Sequence, residues 1–151
     1  MRAKLWLSVS DTTRPPRNDG GDNYNFISAE EYNNRIANGF YLEHNEYGNH
    51  GYGTPVKPVL TALEHGNTVV LEIDYNGMAQ VRDYFRDSDV SVTTIFICTE
   101  GNKLFERLHK RGDSPIEIKK RLSAACSEAS HVDEFDCLIG HCVLEDAVNR
   151  L

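Results

Sequence analysis

Arg14 and Arg17 stand three residues apart around a Pro15-Pro16 pair, and Ser10 lies four residues upstream. A guanidinium offers a planar fork of N–H donors that can bond two phosphate oxygens at once, and a hydroxyl adds a further donor. The prolines lower the entropy cost of holding that fork in place. The chemistry open to this group is the clamping of a phosphate. Standing alone, Arg-Pro-Pro-Arg is more often a pair of solvated side chains. Two further sets have types suited to recognition. Asp74 ends an apolar β-branched run at 68–73 and is followed by Asn76-Gly77. A carboxylate at the C-terminal end of a buried strand sits where open α/β sheets bind ligands. Arg107, Arg111 and Arg121 make a third set, which by itself reads as the solvated face of amphipathic helices. His44, His50 and His109 have no catalytic partner in sequence and read as surface residues.

The elements that must position these residues alternate in type. Strands are expected at 4–10, 24–27, 40–46, 68–73, 90–99 and 137–139, with 51–54 as a turn or strand edge. Helices are expected at 28–38, 56–65, 77–85, 102–110, from Ser114 onward and at 144–151. Ser28 with Glu31, and Ser114 with Glu117, have the spacing of capping boxes, and Pro115 suits a first helical position. Residues 11–23, with their prolines and paired glycines, read as a loop. The runs at 68–73 and 90–99 read as strands buried on both faces. This alternation predicts α/β layers with a mostly parallel sheet. Residues 24–66 differ, with short strands and helices, and read as a small α+β insertion.

Composition sets outer bounds. The chain has 151 residues, 40% of them hydrophobic, and a formal net charge of −7. One domain with an inserted subdomain fits that length. The acidic balance argues against nonspecific nucleic-acid binding. No apolar run approaches a membrane span, and 5–7 is too short for a signal peptide, so a cytoplasmic protein is expected. The cysteines at 98, 126, 137 and 142 match no zinc or redox spacing, so no metal site is expected. Cys98 and Cys137 read as reduced thiols within buried strands.

The order of motifs along the chain adds to this. It runs Ser8-Val9-Ser10-Asp11-Thr12-Thr13-Arg14-Pro15-Pro16-Arg17, then Tyr24-Asn25-Phe26, then Glu43. Gly51-Tyr52-Gly53-Thr54-Pro55 follows, then Leu71-Glu72-Ile73-Asp74-Tyr75-Asn76-Gly77, then Arg107-Leu108, Arg111-Gly112 and Arg121-Leu122. In this order and spacing the sequence resembles guanylate kinase, over nearly its whole length.

The resemblance implies roles residue by residue. Ser10, Arg14, Arg17, Tyr24 and Tyr52 match positions that hold the phosphate of GMP. Glu43, Thr54 and Asp74 match positions that read guanine. The chemistry agrees: a carboxylate can accept from guanine N1–H and the 2-amino group together, and a hydroxyl can serve O6. Adenine presents an acceptor at N1 and would leave that carboxylate unpaired. Glu72 matches an acid near the metal and phosphates. Arg107, Arg111 and Arg121 resemble the lid arginines that act on the transferring phosphoryl group. The implied fold is a truncated P-loop-kinase-like parallel sheet flanked by helices. Its core would be 1–23 and 67–151, its GMP-binding insertion 24–66 and its lid 107–122.

The chain also departs from the family. The loop after Arg17 is shorter and lacks Pro-Gly-Glu, and Gly140-His141-Cys142 replaces Asn-Asp-Asp. The G-x-x-x-x-G-K-[ST] pattern that cradles donor phosphates is not among the 151 residues, and Arg2 and Lys4 do not replace it. A parallel sheet without its central strand would leave the strands at 68–73 and 90–99 with open edges. They are expected to pair directly, or to be bridged by a second copy or a partner chain. The expected function is a degenerate, pseudokinase-like protein that binds GMP or a related guanine nucleotide without transferring phosphoryl groups, with GMP as ligand and no certain cofactor. One alternative is a guanylate kinase using Mg-ATP and completed by a partner chain. Another is a phosphopeptide-binding module, which would need Arg14, Arg17, Tyr24 and Tyr52 but not Glu43 or Asp74.

Overall fold

The structure is a computed structural model that describes residues 4–17 and 23–140. Arg2, the loop at 18–22, His141, Cys142 and the helix expected at 144–151 lie outside the described residues. The chain divides into two compact units, Met1–Val90 and Ser91–Leu151.

In the first unit the described elements are β1 (Leu5–Leu7), β2 (Ser10–Thr12), β3 (Tyr24–Phe26), α1 (Ala29–Ala37), β4 (Tyr41–Tyr47), β5 (His50–Pro55), α2 (Val56–Glu64), β6 (Thr68–Val70) and α3 (Tyr75–Phe85). The single strand expected at 4–10 is two strands in two sheets. β1 pairs in parallel with β6, whereas β2 joins a four-stranded sheet of order β3-β2-β5-β4. In that sheet β2 runs parallel to β3 and antiparallel to β5, and β4 is antiparallel to β5. The α+β segment expected from residue 24 therefore also draws on 10–12.

Local chemistry explains the turns of this sheet. Gly48 and Asn49 join β4 to β5 with φ of 62° and 65°. Two consecutive positive φ angles make the two-residue turn whose twist suits a hairpin, and Gly and Asn tolerate them best. Ser28 caps α1 by accepting from the Glu31 N–H at 3.1 Å. The Glu31 carboxylate does not complete the box; it takes the Arg35 Nε–H at 2.7 Å instead. Val59, Met78, Val81, Phe85 and Leu42 are buried and form the apolar core of this unit with Tyr32 and Tyr41.

The second unit contains β7 (Ile95–Cys98), α4 (Gly101–Arg111), α5 (Pro115–Ala129) and β8 (Cys137–Gly140), with β7 and β8 parallel. Thr94 and Asp136 lock the start of that pair. The Thr94 N–H and hydroxyl both donate to Asp136 Oδ2 at 2.7 Å, and the Asp136 N–H donates to Thr94 Oγ1 at 3.1 Å. Here the second capping box is complete: Ser114 Oγ accepts from the Glu117 N–H at 3.3 Å, and Glu117 accepts from the Ser114 N–H at 3.0 Å. Among the described residues the two units hold five helices and three sheets, an α/β arrangement.

The structure corrects the reading of 68–73 and 90–99 as strands buried on both faces. β6 and β7 are shorter than those runs, and Val70, Ile95 and Ile97 are exposed. Each belongs to a two-stranded sheet, which cannot cover both of its own faces. The expected direct pairing is also not found: β6 pairs with β1, and β7 with β8. Cys98 and Cys137 are exposed thiols for the same reason.

Candidate functional site

Strand register decides which side chains meet on the four-stranded sheet. Ser10 lies opposite Tyr24, Thr12 opposite Tyr52, Glu43 opposite Thr54, and Asn45 opposite Tyr52. Directly paired residues, and residues two apart on one strand, share a face. Ser10, Tyr24, Glu43, Tyr52 and Thr54 therefore line one side of the sheet. The two glycines around Tyr52 serve the other side. A Cβ on Gly53 would come within 2.8 Å of the Tyr41 ring, and one on Gly51 would collide with the ring of Tyr32. The Gly-Tyr-Gly spacing thus lets the rings of Tyr32 and Tyr41 pack closely beneath the sheet while Tyr52 points above it.

Simple alternation would put Tyr41, Glu43 and Asn45 on the same side. The register of β4 shifts between Tyr41 and Glu43. This irregularity sends Tyr41 below the sheet, against Gly53, and leaves Glu43 above it, against Thr54.

At the centre of the upper face is a chain of side-chain hydrogen bonds. The Thr54 hydroxyl donates to Glu43 Oε1 at 2.5 Å, and Ser10 Oγ lies 2.9 Å from Thr54 Oγ1. Glu43 is 5% exposed and Thr54 1%. Burial raises the Glu43 carboxyl above the ordinary carboxylate range; the hydrogen bond from Thr54 opposes this, and the nearby Asp74 adds to it. Glu43 reaches α3 because residue 77 is glycine. A Cβ there would stand 2.7 Å from Glu43 Oε2.

Asp74 is the N-cap of α3, and its Oδ1 accepts from the Gly77 N–H at 2.8 Å. Gln80 fastens that helix to the edge of the sheet. Its amide donates to the His44 carbonyl at 2.9 Å and accepts from the His44 N–H at 3.1 Å, as a neighbouring strand would. The docking brings Asp74 to β4, where Asn45 Nδ2 donates to Asp74 Oδ2 at 2.5 Å.

The second cluster gathers around Tyr24. Its ring meets that of Tyr52 edge-on at 5.9 Å, and the Arg14 guanidinium lies 5.8 Å from its centroid, a cation–π distance. Burial, then Glu72 and Tyr52, push the Tyr24 hydroxyl up, while Arg14 and Arg17 act against them. Arg14, Arg17, Tyr24, Tyr52 and Glu72 are thus electrostatic neighbours. Arg14 also donates to the Pro15 carbonyl at 2.8 Å, which holds the loop's bend. The Arg14 N–H donates to Thr12 Oγ1 at 3.2 Å, and Thr13 Oγ1 accepts from the Gly51 N–H at 2.8 Å, tying the loop to β5.

Beneath the sheet lies a charged group that motif spacing did not reveal. Asp11 is fully buried. Its carboxylate accepts from Arg35 Nη1 at 2.5 Å, the Tyr41 hydroxyl at 2.9 Å and Asn25 Nδ2 at 3.0 Å. One residue thereby ties β2 to α1, β4 and β3. The Tyr41 hydroxyl is raised by burial and by Asp11, and that of Tyr32 is pushed up to about 12 by burial, Glu46 and Glu43.

The second unit places Arg107, Arg111 and Arg121 on α4 and α5. Arg111 grips Asp113 with two N–H groups, Nε at 2.9 Å and Nη2, and Arg121 Nε lies 3.3 Å from Asp113 Oδ2. Gly112, with φ of 89°, makes the left-handed turn that brings Asp113 back to Arg111. Arg107 is exposed on α4. Asp113, Asp11, Asn45 and Gln80 were all missed in the sequence. Asn45 had a signal: it lies two positions after Glu43 on the same strand.

Comparison with known proteins accounts for this arrangement. A family model described as guanylate kinase matches residues 2–151. The chain belongs to the guanylate kinase family. It is 40% identical over 155 residues to a guanylate kinase of Streptomyces kasugaensis, covering 100% of this chain and 74% of that protein. It is 40% identical over 152 residues to one from Streptomyces coelicolor, covering 98% of this chain and 75% of that protein. The crystal structure of guanylate kinase from Anaplasma phagocytophilum superposes with a TM-score of 0.76 at 30% identity, over 97% of this chain and 71% of that one. No described helix of this guanylate kinase relative is long and apolar enough to cross a membrane.

Proposed function

We propose that the upper face of the four-stranded sheet is a GMP-binding acceptor site, and that the chain serves phosphoryl transfer from ATP to GMP. The observation that carries this reading is the Ser10–Thr54–Glu43 hydrogen-bond chain, with Asp74 beside it, Tyr24 and Tyr52 on the same sheet face, and Arg14 and Arg17 on the loop after β2. Glu43 would accept from guanine N1–H and one 2-amino N–H. Asp74 would take the second 2-amino N–H; Thr54, its hydroxyl donating to Glu43, would orient that carboxylate, and the Ser10 hydroxyl, turned from Thr54, would donate to O6. Arg14, Arg17, Tyr24 and Tyr52 would hold the phosphate by charge-assisted hydrogen bonds. The names of the relatives favour transfer over binding alone.

In the reaction, GMP phosphate oxygen attacks the terminal phosphorus of ATP and ADP leaves. Arg107, Arg111 and Arg121 would neutralise charge on the transferring group, as positioned cations do in such reactions. Mg²⁺ enters with ATP as part of the substrate.

A coupled assay for ADP release, with GMP and Mg-ATP, tests the proposal. GMP-dependent ADP release supports it. GMP binding with no ADP release would instead favour the second reading, a GMP-binding protein without transfer of its own.

A further inference from the structure

We infer that Asn45 is a positioning residue for base recognition, which sets the Asp74 carboxylate in the orientation that reads the 2-amino group of guanine. This rests on the proposed acceptor site and adds a residue to it.

The geometry fixes the direction of the Asn45 amide. Asn45 Oδ1 accepts from the Glu46 N–H at 2.9 Å, which requires the other end of the amide to be the donor. That donor, Nδ2, meets Asp74 Oδ2 at 2.5 Å. The opposite oxygen, Oδ1, is already engaged by the Gly77 N–H at 2.8 Å. One donor on each oxygen leaves Asp74 little freedom to rotate. The remaining lone pairs of its Oδ2 are free of the helix cap.

The Asn45 backbone is itself held from below. Its carbonyl accepts from the Tyr32 hydroxyl at 3.2 Å, and the same hydroxyl donates to the Tyr52 carbonyl at 3.1 Å. Asn45 is therefore anchored on both sides of the sheet and aimed at one partner. An alanine at 45 would leave Asp74 Oδ2 without its donor. Asp74 already raises the cost of ionising Glu43, and the same like-charge repulsion would then push the Asp74 carboxylate away. A carboxylate that swings away from Glu43 no longer meets the 2-amino group.

The inference predicts a change in selectivity, not in overall affinity alone. The measurement compares binding of GMP with that of inosine monophosphate, which lacks the 2-amino group, by titration calorimetry on the full chain. Asn45→Ala should reduce the GMP preference about tenfold, the worth of one charge-assisted hydrogen bond. Asn45→Asp keeps the shape but replaces the donor by a like charge, and should reduce it at least as far. In an Asp74→Asn background, Asn45→Ala should change the preference no further. Equal weakening of both nucleotides, or an unchanged preference in a variant with an unaltered thermal melt, would overturn the inference. If the unaltered chain binds neither nucleotide, the acceptor-site reading fails first and this inference with it.

Discussion

Glu43 and Thr54 face each other across β4 and β5, and the Thr54 hydroxyl donates to Glu43 Oε1 at 2.5 Å. The bond orients a buried carboxylate that would otherwise be free to turn. Thr54→Ala should weaken GMP binding by about 1–3 kcal/mol, the cost of leaving a buried acceptor without its donor. Thr54→Ser, which keeps the hydroxyl, should recover most of that loss. Titration of both variants with GMP checks it.

The raised Glu43 carboxyl gives a pH dependence of defined sign. Its folded value lies above its unfolded value, so the folded chain holds this proton to higher pH. Stability must then fall as pH rises from the ordinary carboxylate value through the raised one. GMP affinity should rise over the same window, because guanine N1–H needs the carboxylate as acceptor. Glu43→Gln should remove both slopes. Denaturation midpoints and GMP titrations over a mildly acidic pH series measure them.

Arg14 and Arg17 are expected to act on the phosphate alone. Alanine at either position should weaken GMP by about 1.5–3 kcal/mol, the worth of a hydrogen bond to a charged group. Guanosine, which has no phosphate, should bind the variants as it binds the parent. Equal losses for the nucleotide and the nucleoside would remove these arginines from the phosphate group.

Asp11 and Arg35 make an asymmetric pair, the acid fully buried and the arginine 26% exposed. Removing the cation strands a buried negative charge, whereas removing the acid leaves Arg35 with Glu31 and partial hydration. Arg35→Leu should cost about 3 kcal/mol of stability, and Asp11→Asn distinctly less. Urea unfolding of the two variants decides between this and a symmetric loss.

Much of this was legible in the sequence because it is local. Turn residues, caps and apolar periodicity fix the helices at 56–65 and 114 onward, and motif order brings Ser10, Glu43, Thr54 and Asp74 into view together. What was hidden depends on long-range pairing. No local signal in 4–10 says that β1 and β2 diverge into two sheets. The irregularity between Tyr41 and Glu43 breaks the alternation from which faces are read. Asp11 lies inside a motif whose other members drew attention, and its partners are 14 to 30 residues away. The apolar runs at 68–73 and 90–99 suggested burial by composition, but exposure is set by how many strands flank them.

The central claim is that one sheet face recognises guanine and phosphate together. Isothermal titration of the purified chain with GMP and with AMP tests it most directly. The account predicts a saturable GMP isotherm and AMP binding at least about tenfold weaker, because adenine N1 leaves the Glu43 carboxylate unpaired. No heat with GMP, or equal affinity for the two nucleotides, would contradict it.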